Sequence, residues 1–192
     1  MEALLLSTLA VAVAEIGDKT QLLALLLAAR YRRFGPLAAG ITVATLLNHA
    51  AAGWLGAWLV GLLPAGWAPW LLAASLLAVA LWTLKPDAMP EDEALPSVRS
   101  AFLATTTAFF LAEIGDKTQI ATVLLAARFE ALTLVVLGTT LGMLLANLPV
   151  VWLGQRFSRR LPLRTLRILA ACVFAALAVG VLLESGNGSP KG

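Results

Sequence analysis

Charged residues are scarce in this sequence. Only 13% of its 192 residues are Asp, Glu, Lys or Arg, whereas a soluble domain carries about 25%. The charges also leave long apolar stretches between them, and a bilayer core about 30 Å thick needs roughly 20 apolar residues per helix. The composition therefore predicts an integral membrane protein with no room for a soluble catalytic domain.

Cysteine and the common enzyme motifs are nearly missing as well. The one cysteine, Cys172, lies in an apolar run and cannot form a disulfide within the chain. The sequence has no Cys-x-x-Cys zinc pattern and no His-Glu-x-x-His pattern, so we do not expect an enzyme. The net charge is +3, and the Arg residues lie in short loops between the apolar runs. This placement is typical of residues that orient a membrane protein, so we do not infer nucleic-acid binding from the charge.

Six long apolar segments remain. Their approximate ranges are 3–28, 37–62, 67–84, 101–127, 132–153 and 165–184. Because the runs are continuous and rich in Leu and Ala, we expect six transmembrane helices and not a β-barrel, which needs alternating polarity. The only charged side chain before the first apolar run is Glu2, so the basic segment of a secretory signal is missing. We therefore expect the first run to be a membrane span and not a cleaved signal.

A polar stretch divides the chain into two halves. Residues 85–100 contain three prolines and an acidic run, so we predict a cytoplasmic linker there. The linker separates a first three-helix repeat at 1–84 from a second at 101–184. The Gly-rich segment at 185–192 is predicted to be a disordered tail.

Positive charges are distributed unevenly among the predicted loops. The loops after the first, third and fifth helices carry ten Lys and Arg residues, and the opposite side carries two. Because cytoplasmic loops are enriched in these residues, the asymmetry places both termini outside the cytoplasm. We predict a multi-pass protein of the cell inner (plasma) membrane.

The two halves contain a repeated segment. Residues 14–21, Ala-Glu-Ile-Gly-Asp-Lys-Thr-Gln, recur identically at 112–119, an offset of 98 residues. Since each half has three predicted helices, the second must enter the membrane from the opposite side, and we predict inverted repeats. Such repeats are typical of secondary transporters, whose binding site lies near the midplane where the halves meet.

The repeated segment puts ionisable residues at membrane depth. Each costs about 2.5–3.5 kcal/mol on insertion scales, so we expect them to pair with one another, an ion or water. On a continuous helix Glu15, Asp18 and Lys19 share one face, and Glu15 and Lys19 have the spacing of an i,i+4 ion pair. Gly17 permits local unwinding. Four carboxylates from two facing copies suit a hard divalent cation, and protons would replace it when it leaves.

We therefore predict a divalent-cation site made by both copies. Its predicted ligands are Glu15, Asp18, Gln21, Glu113, Asp116 and Gln119. The predicted supporting residues are Lys19, Lys117, Thr20, Thr118, Asn48, His49 and Asn147. The lysines are expected to hold the carboxylates when the ion is absent, and Thr20 is expected to join only if the helix breaks. An ion-paired core without any ligand is the alternative.

Three of these residues lie in the second and fifth predicted spans. His49 and Asn147 are 98 residues apart, and Asn48 precedes His49. They are candidates for ligands or donors at the site, and the alternative is a hydrogen bond between helices. A neutral imidazole would favour Mn²⁺ over Ca²⁺.

The duplicated motif Glu-x-Gly-Asp-[Lys/Arg]-[Ser/Thr] resembles that of the uncharacterised protein family 0016. This family contains bacterial manganese exporters and Golgi calcium/manganese transporters, and the resemblance covers about residues 3–184. Both copies match the motif fully. The resemblance implies transport of a divalent cation in exchange for protons, with the acids of the motif as ligands.

We predict a secondary transporter that exports Mn²⁺ from the cytoplasm. A Ca²⁺/H⁺ antiporter is the alternative within transport. An amino-acid exporter is disfavoured because the carboxylate of the substrate would meet an acidic site. A membrane scaffold or assembly factor is the alternative outside transport. The expected partners are the metal ion, protons and the lipid bilayer, with a homodimer compatible with so short a chain.

Overall fold

The computed structural model describes most of the chain. The described residues are 1–64, 66–85, 99–129, 131–153 and 163–186. They form eight helices: α1 (Glu2–Glu15), α2 (Lys19–Tyr31), α3 (Phe34–Leu62), α4 (Ala68–Thr83), α5 (Ala101–Glu113), α6 (Lys117–Phe129), α7 (Leu132–Leu153) and α8 (Leu163–Gly186). The prediction of an all-helical protein is confirmed.

Several helices are suited to a bilayer. Among the described residues, three helical stretches are long and apolar enough to cross a membrane: Phe34–Leu62, Leu132–Leu153 and Arg167–Gly186. α4 and α5 are shorter apolar helices. Many large apolar side chains lie on the outside of the described helices, as lipid contact requires. These features agree with a multi-pass membrane protein, while the six-span inverted arrangement stays a prediction.

The first and fourth predicted spans are each divided into two helices. α1 ends and α2 begins on either side of Gly17, and α5 and α6 flank Gly115 in the same way. The two glycines have φ values of 83° and 73°, in the left-handed region that a side chain makes costly. The isoleucine before each glycine is extended, with ψ of 119° at both Ile16 and Ile114. The spans predicted at 3–28 and 101–127 are therefore helical with a break, as the local unwinding allowed for Gly17 predicts, and the continuous-helix geometry does not apply to Glu15, Asp18 and Lys19.

The broken helices pack against the long helices of the opposite half. α1 and α2 contact α7, and α5 and α6 contact α3. α3 and α7 also contact each other. The two helix breaks are therefore enclosed by elements from both halves of the chain.

Close helix crossings recur at equivalent positions. A Cβ on Gly40 in α3 would lie 3.0 Å from the carbonyl oxygen of Phe102 in α5. A Cβ on Gly138 in α7 would lie 2.6 Å from the carbonyl oxygen of Leu4 in α1. Gly40 and Gly138 are 98 positions apart in the sequence, and so are Leu4 and Phe102. The α3–α5 and α7–α1 crossings therefore bring equivalent residues into close contact.

The helices α4 and α8 lie at one end of the molecule. α4 and α8 pack against each other, and they also contact α6 and α1 respectively. One apolar core, which includes Leu76, Leu125 and Phe174, joins these four helices. A second core, which includes Leu27 and Phe109, lies on the other side of the breaks among α2, α3, α5 and α7. The two ends of the molecule are thus packed by different helices.

Two predicted segments extend beyond the described residues. Most of the predicted linker at 85–100 lies outside them, as does the end of the predicted tail. α8 continues to Gly186, so the helix ends later than the predicted boundary at 184.

Candidate metal site at the helix breaks

Two ion pairs connect the helix breaks. Lys117 Nζ donates to Asp18 Oδ1 at 2.8 Å, and Lys19 Nζ lies 3.2 Å from Asp116 Oδ1. Each lysine thus pairs with the aspartate of the other copy. The expected i,i+4 pair between Glu15 and Lys19 is wrong, because α1 ends at Glu15 and the chain changes direction before α2 begins.

Three carboxylates converge where the breaks meet. Glu15, Asp18 and Asp116 each offer an oxygen, and these oxygens all lie within 4.8 Å of one another. All three residues are buried. Ligand oxygens about 2.1–2.6 Å from one cation lie up to roughly 4–5 Å apart, so this spacing suits a shared ion. Three of the four predicted acidic ligands are therefore brought together.

Glu113 adjoins this cluster through a threonine. Thr118 Oγ1 lies 3.3 Å from Glu113 Oε2 and 3.3 Å from Asp116 Oδ2, and a hydroxyl donates to one such oxygen at a time. Glu113 is fully buried. The helix break brings Thr118 to the carboxylates, whereas Thr20 Oγ1 has no hydrogen-bond partner among the described residues.

The glutamines stabilise the breaks. Gly17 N donates to Gln21 Oε1 at 2.8 Å, and Gly115 N donates to Gln119 Oε1 at 2.7 Å. Gln21 Nε2 also donates to the carbonyl oxygen of Ala146 in α7 at 2.9 Å. A helix break leaves backbone N–H groups without helical partners, and the glutamines satisfy them. This function was not predicted, although the four-residue spacing from glycine to glutamine indicates it, and a ligand function for the glutamines stays a prediction.

The long helices add polar side chains. Asn147 Nδ2 donates to Glu15 Oε1 at a long 3.5 Å, which brings this predicted residue to the cluster. Asn48 Nδ2 donates to the carbonyl oxygen of Phe110 at 3.0 Å, as the helix-to-helix alternative predicts. His49 is fully buried, and neither ring nitrogen has a hydrogen-bond partner in the part of the chain that the structure describes.

Several buried oxygens at the cluster are left without hydrogen bonds. Within the described residues these include Glu15 Oε2, Glu113 Oε1 and Asn147 Oδ1. Buried polar atoms nearly always have a partner, and each exception calls for an explanation. A bound cation, water or a proton at this place would supply the missing interactions.

Buried carboxylates at two broken helices inside an apolar helical protein define a membrane transporter of cations. The chain belongs to the divalent cation/proton antiporter GDT1 family, whose profile matches it twice, at residues 3–91 and 101–189. The two matches are offset by the same 98 residues as the repeated segment. The predicted membership of a divalent-cation transporter family is confirmed.

A relative from Vibrio cholerae serotype O1 is similar over nearly the whole chain. This protein, named "Putative manganese exporter", is 49% identical over 180 residues, which cover 93% of this chain and 90% of the relative. No solved structure matches the chain significantly. The similarity therefore includes both halves and both copies of the motif.

Proposed function

We propose that this antiporter exports Mn²⁺ from the cytoplasm in exchange for protons. The observation that carries the proposal is the convergence of Glu15, Asp18 and Asp116 where the broken helices of the two halves meet. The family supports exchange of a divalent cation for protons. The name of the Vibrio cholerae relative supports manganese as the ion.

The proposed architecture has six spans in two inverted repeats. α1 with α2 forms the first span and α5 with α6 the fourth, while α3, α4, α7 and α8 form one span each. The two lysine–aspartate ion pairs support this arrangement. The lysine of each half pairs with the aspartate of the other half, as expected for two halves related by twofold pseudosymmetry. The similar φ values of Gly17 and Gly115, 83° and 73°, support it as well. Alternating access would then be a movement of one repeat against the other around a fixed site.

The charges of the site suit one divalent ion. Four carboxylates and two lysines, four negative and two positive charges, leave a net charge of −2. Glu15, Asp18, Glu113 and Asp116 would bind the ion, and the carbonyl ends of α1 and α5 add partial negative charge there. When the ion leaves, Lys19 and Lys117 hold the two aspartates and protons take its place on carboxylates. This exchange couples the movement of the two ions.

The decisive experiment measures Mn²⁺ uptake by proteoliposomes under a pH gradient. Glu15→Gln keeps the size of the side chain and removes its charge, so transport should fall at least about tenfold, as for a lost metal-site partner. Glu2→Gln removes an exposed acid at the start of α1 and should transport normally. Full transport by Glu15→Gln and Glu113→Gln would contradict the proposed site, whereas no transport by the unmodified protein would favour a scaffold.

Calcium is the second candidate ion, because an all-oxygen cluster also suits Ca²⁺. Competition in the same vesicles separates the two ions. Excess Mn²⁺ should suppress Ca²⁺ transport. Ca²⁺ transport that excess Mn²⁺ leaves unchanged would establish the Ca²⁺/H⁺ antiporter instead.

We further propose the inner (plasma) membrane as the location, with both termini outside the cytoplasm. The uneven distribution of Lys and Arg among the loops supports this orientation. Labelling of single cysteines placed near each terminus, in a Cys172→Ser background, tests it with an impermeant reagent on intact cells. A homodimer stays a prediction.

A further inference from the structure

We infer that His49 determines the ion selectivity of this site by supplying a nitrogen ligand beside Glu113. The inference rests on the proposed function, because selectivity presupposes a transported ion. It concerns the position at which the two halves of the site differ chemically. One half has an asparagine there and the other has the only histidine of the chain.

The equivalence of the two positions follows from the helix crossings. Gly40 in α3 lies against α5 as Gly138 in α7 lies against α1. His49 is nine residues beyond Gly40, and Asn147 is nine residues beyond Gly138. Both long helices are continuous over these stretches, so the two side chains project in equivalent directions. His49 therefore relates to α5 as Asn147 relates to α1.

Asn147 indicates what this position contacts. Its Nδ2 donates to the Met143 carbonyl oxygen of α7 at 3.1 Å and lies 3.5 Å from Glu15 Oε1, at the end of α1. The residue equivalent to Glu15 is Glu113, at the end of α5. The equivalence of the halves therefore predicts that His49 faces the end of α5, where Glu113 lies.

The atoms at this second position are unsatisfied. Both ring nitrogens of His49 and Oε1 of Glu113 are buried, and none has a hydrogen-bond partner among the described residues. The imidazole and the carboxylate are thus not bonded directly to each other. Since buried polar atoms seldom lack partners, each of them calls for one. A cation bound to Glu113 would satisfy both side chains.

The chemistry of imidazole then discriminates between ions. Ca²⁺ is bound in proteins by oxygen ligands, whereas an imidazole nitrogen suits transition metals. A site with two asparagines at these positions would offer oxygen ligands only. His49 therefore shifts the preference of an otherwise oxygen-based site toward Mn²⁺.

His49→Asn tests the inference because it makes the two positions identical. The variant should still transport divalent ions in proteoliposomes, and the ratio of Mn²⁺ to Ca²⁺ transport should fall about tenfold, the smaller effect expected for a lost metal-site partner. Thr42→Ala, which removes a side chain of α3 that hydrogen-bonds to the Ala38 carbonyl of the same helix, is the control and should leave the ratio unchanged. An unchanged ratio in an active His49→Asn protein would overturn the inference.

A spectroscopic measurement on the unmodified protein is independent of how the variant folds. Electron spin-echo measurements of bound Mn²⁺ should show coupling to a nitrogen nucleus, and ¹⁵N-labelled histidine should change that signal. Because the chain has one histidine, a histidine signal can come only from His49. Bound Mn²⁺ without nitrogen coupling would overturn the inference. Failure of the proposed function is a separate outcome, in which the unmodified protein moves neither ion.

Discussion

The two copies of the repeated segment have the same sequence and backbone, yet different surroundings. The side chain of Lys117 is 2% exposed in its ion pair, whereas that of Lys19 is 23% exposed. Thr118 lies near two carboxylates, and Thr20 has no such contact among the described residues. Since the segments are identical, the helices around them must cause the difference. The segment itself determines the helix break, and its neighbours determine which side of the site is accessible.

The arginines near the ends of α2 and α6 also differ in their surroundings. Arg128 in α6 donates from Nη1 to the carbonyl oxygen of Leu177 at 2.7 Å, and its Nη2 lies 3.2 Å from Glu184 Oε1 in α8. The equivalent Arg30 in α2 is exposed. The end of the molecule formed by α1 and α6 is thus held by α4 and α8. In the proposed orientation, the less covered end with α2 and α5 faces the cytoplasm, from which the ion would enter.

The largest expected change in stability comes from removing each of the two lysine–aspartate ion pairs in turn. Asp18→Asn removes the carboxylate partner of the buried Lys117, and loss of a buried partner costs about 3–5 kcal/mol. Asp116→Asn does the same to the partly exposed Lys19, which solvent can stabilise, so its cost should be clearly smaller. Thermal unfolding in detergent measures both. Equal shifts in Tm would show that the exposure of the lysines does not distinguish the halves.

A smaller effect is expected at the arginines. Arg128→Ala should destabilise the protein by about 1.5–3 kcal/mol, because it removes charge-assisted hydrogen bonds to α8. Arg30→Ala should change stability by no more than about 0.5 kcal/mol, as usual for an exposed residue. Denaturant unfolding in mixed micelles gives both values.

Glu184→Gln identifies which contact of Arg128 matters. Glu184 is 70% exposed, so its ion pair should contribute about 0–1 kcal/mol, less than the bond to the Leu177 carbonyl. If Glu184→Gln destabilised the protein as much as Arg128→Ala, the ion pair and not the carbonyl bond would join α6 to α8.

The membrane class, the helical fold and the acidic residues of the site could all be predicted from the sequence. Apolar runs and an exact internal repeat are properties of the chain that need no tertiary information. The high cost of ionisable groups in lipid then singles out residues such as Glu15 and Glu113 as functional. The predictions of membrane class and helical fold succeeded because the bilayer restricts what an apolar sequence can form, and the function of the acidic residues stays a prediction.

The partners of the lysines could not be predicted in the same way. The i,i+4 rule presumes a continuous helix, and the positive φ of Gly17 ends that helix before Lys19. A glycine permits this conformation without requiring it, so its presence alone does not locate a break. The partner of Lys19 on the other half depends on how two distant segments pack, which local spacing does not contain.

Both helix breaks have a glycine at a left-handed φ, so replacing either glycine should have a similar effect. Gly17→Ala and Gly115→Ala place a side chain at a left-handed φ, which costs about 1–2 kcal/mol at each position. A Cβ on Gly115 would meet nothing within 4 Å, so there the cost is that of the backbone alone. Gly61→Ala is the control, because a Cβ at Gly61, inside α3, also meets nothing within 4 Å and helical alanine stabilises by about 0.5–1 kcal/mol. Thermal unfolding should show similar losses for Gly17→Ala and Gly115→Ala and none for the control. A loss confined to one of the two would mean that the breaks are not equivalent, despite their matching angles.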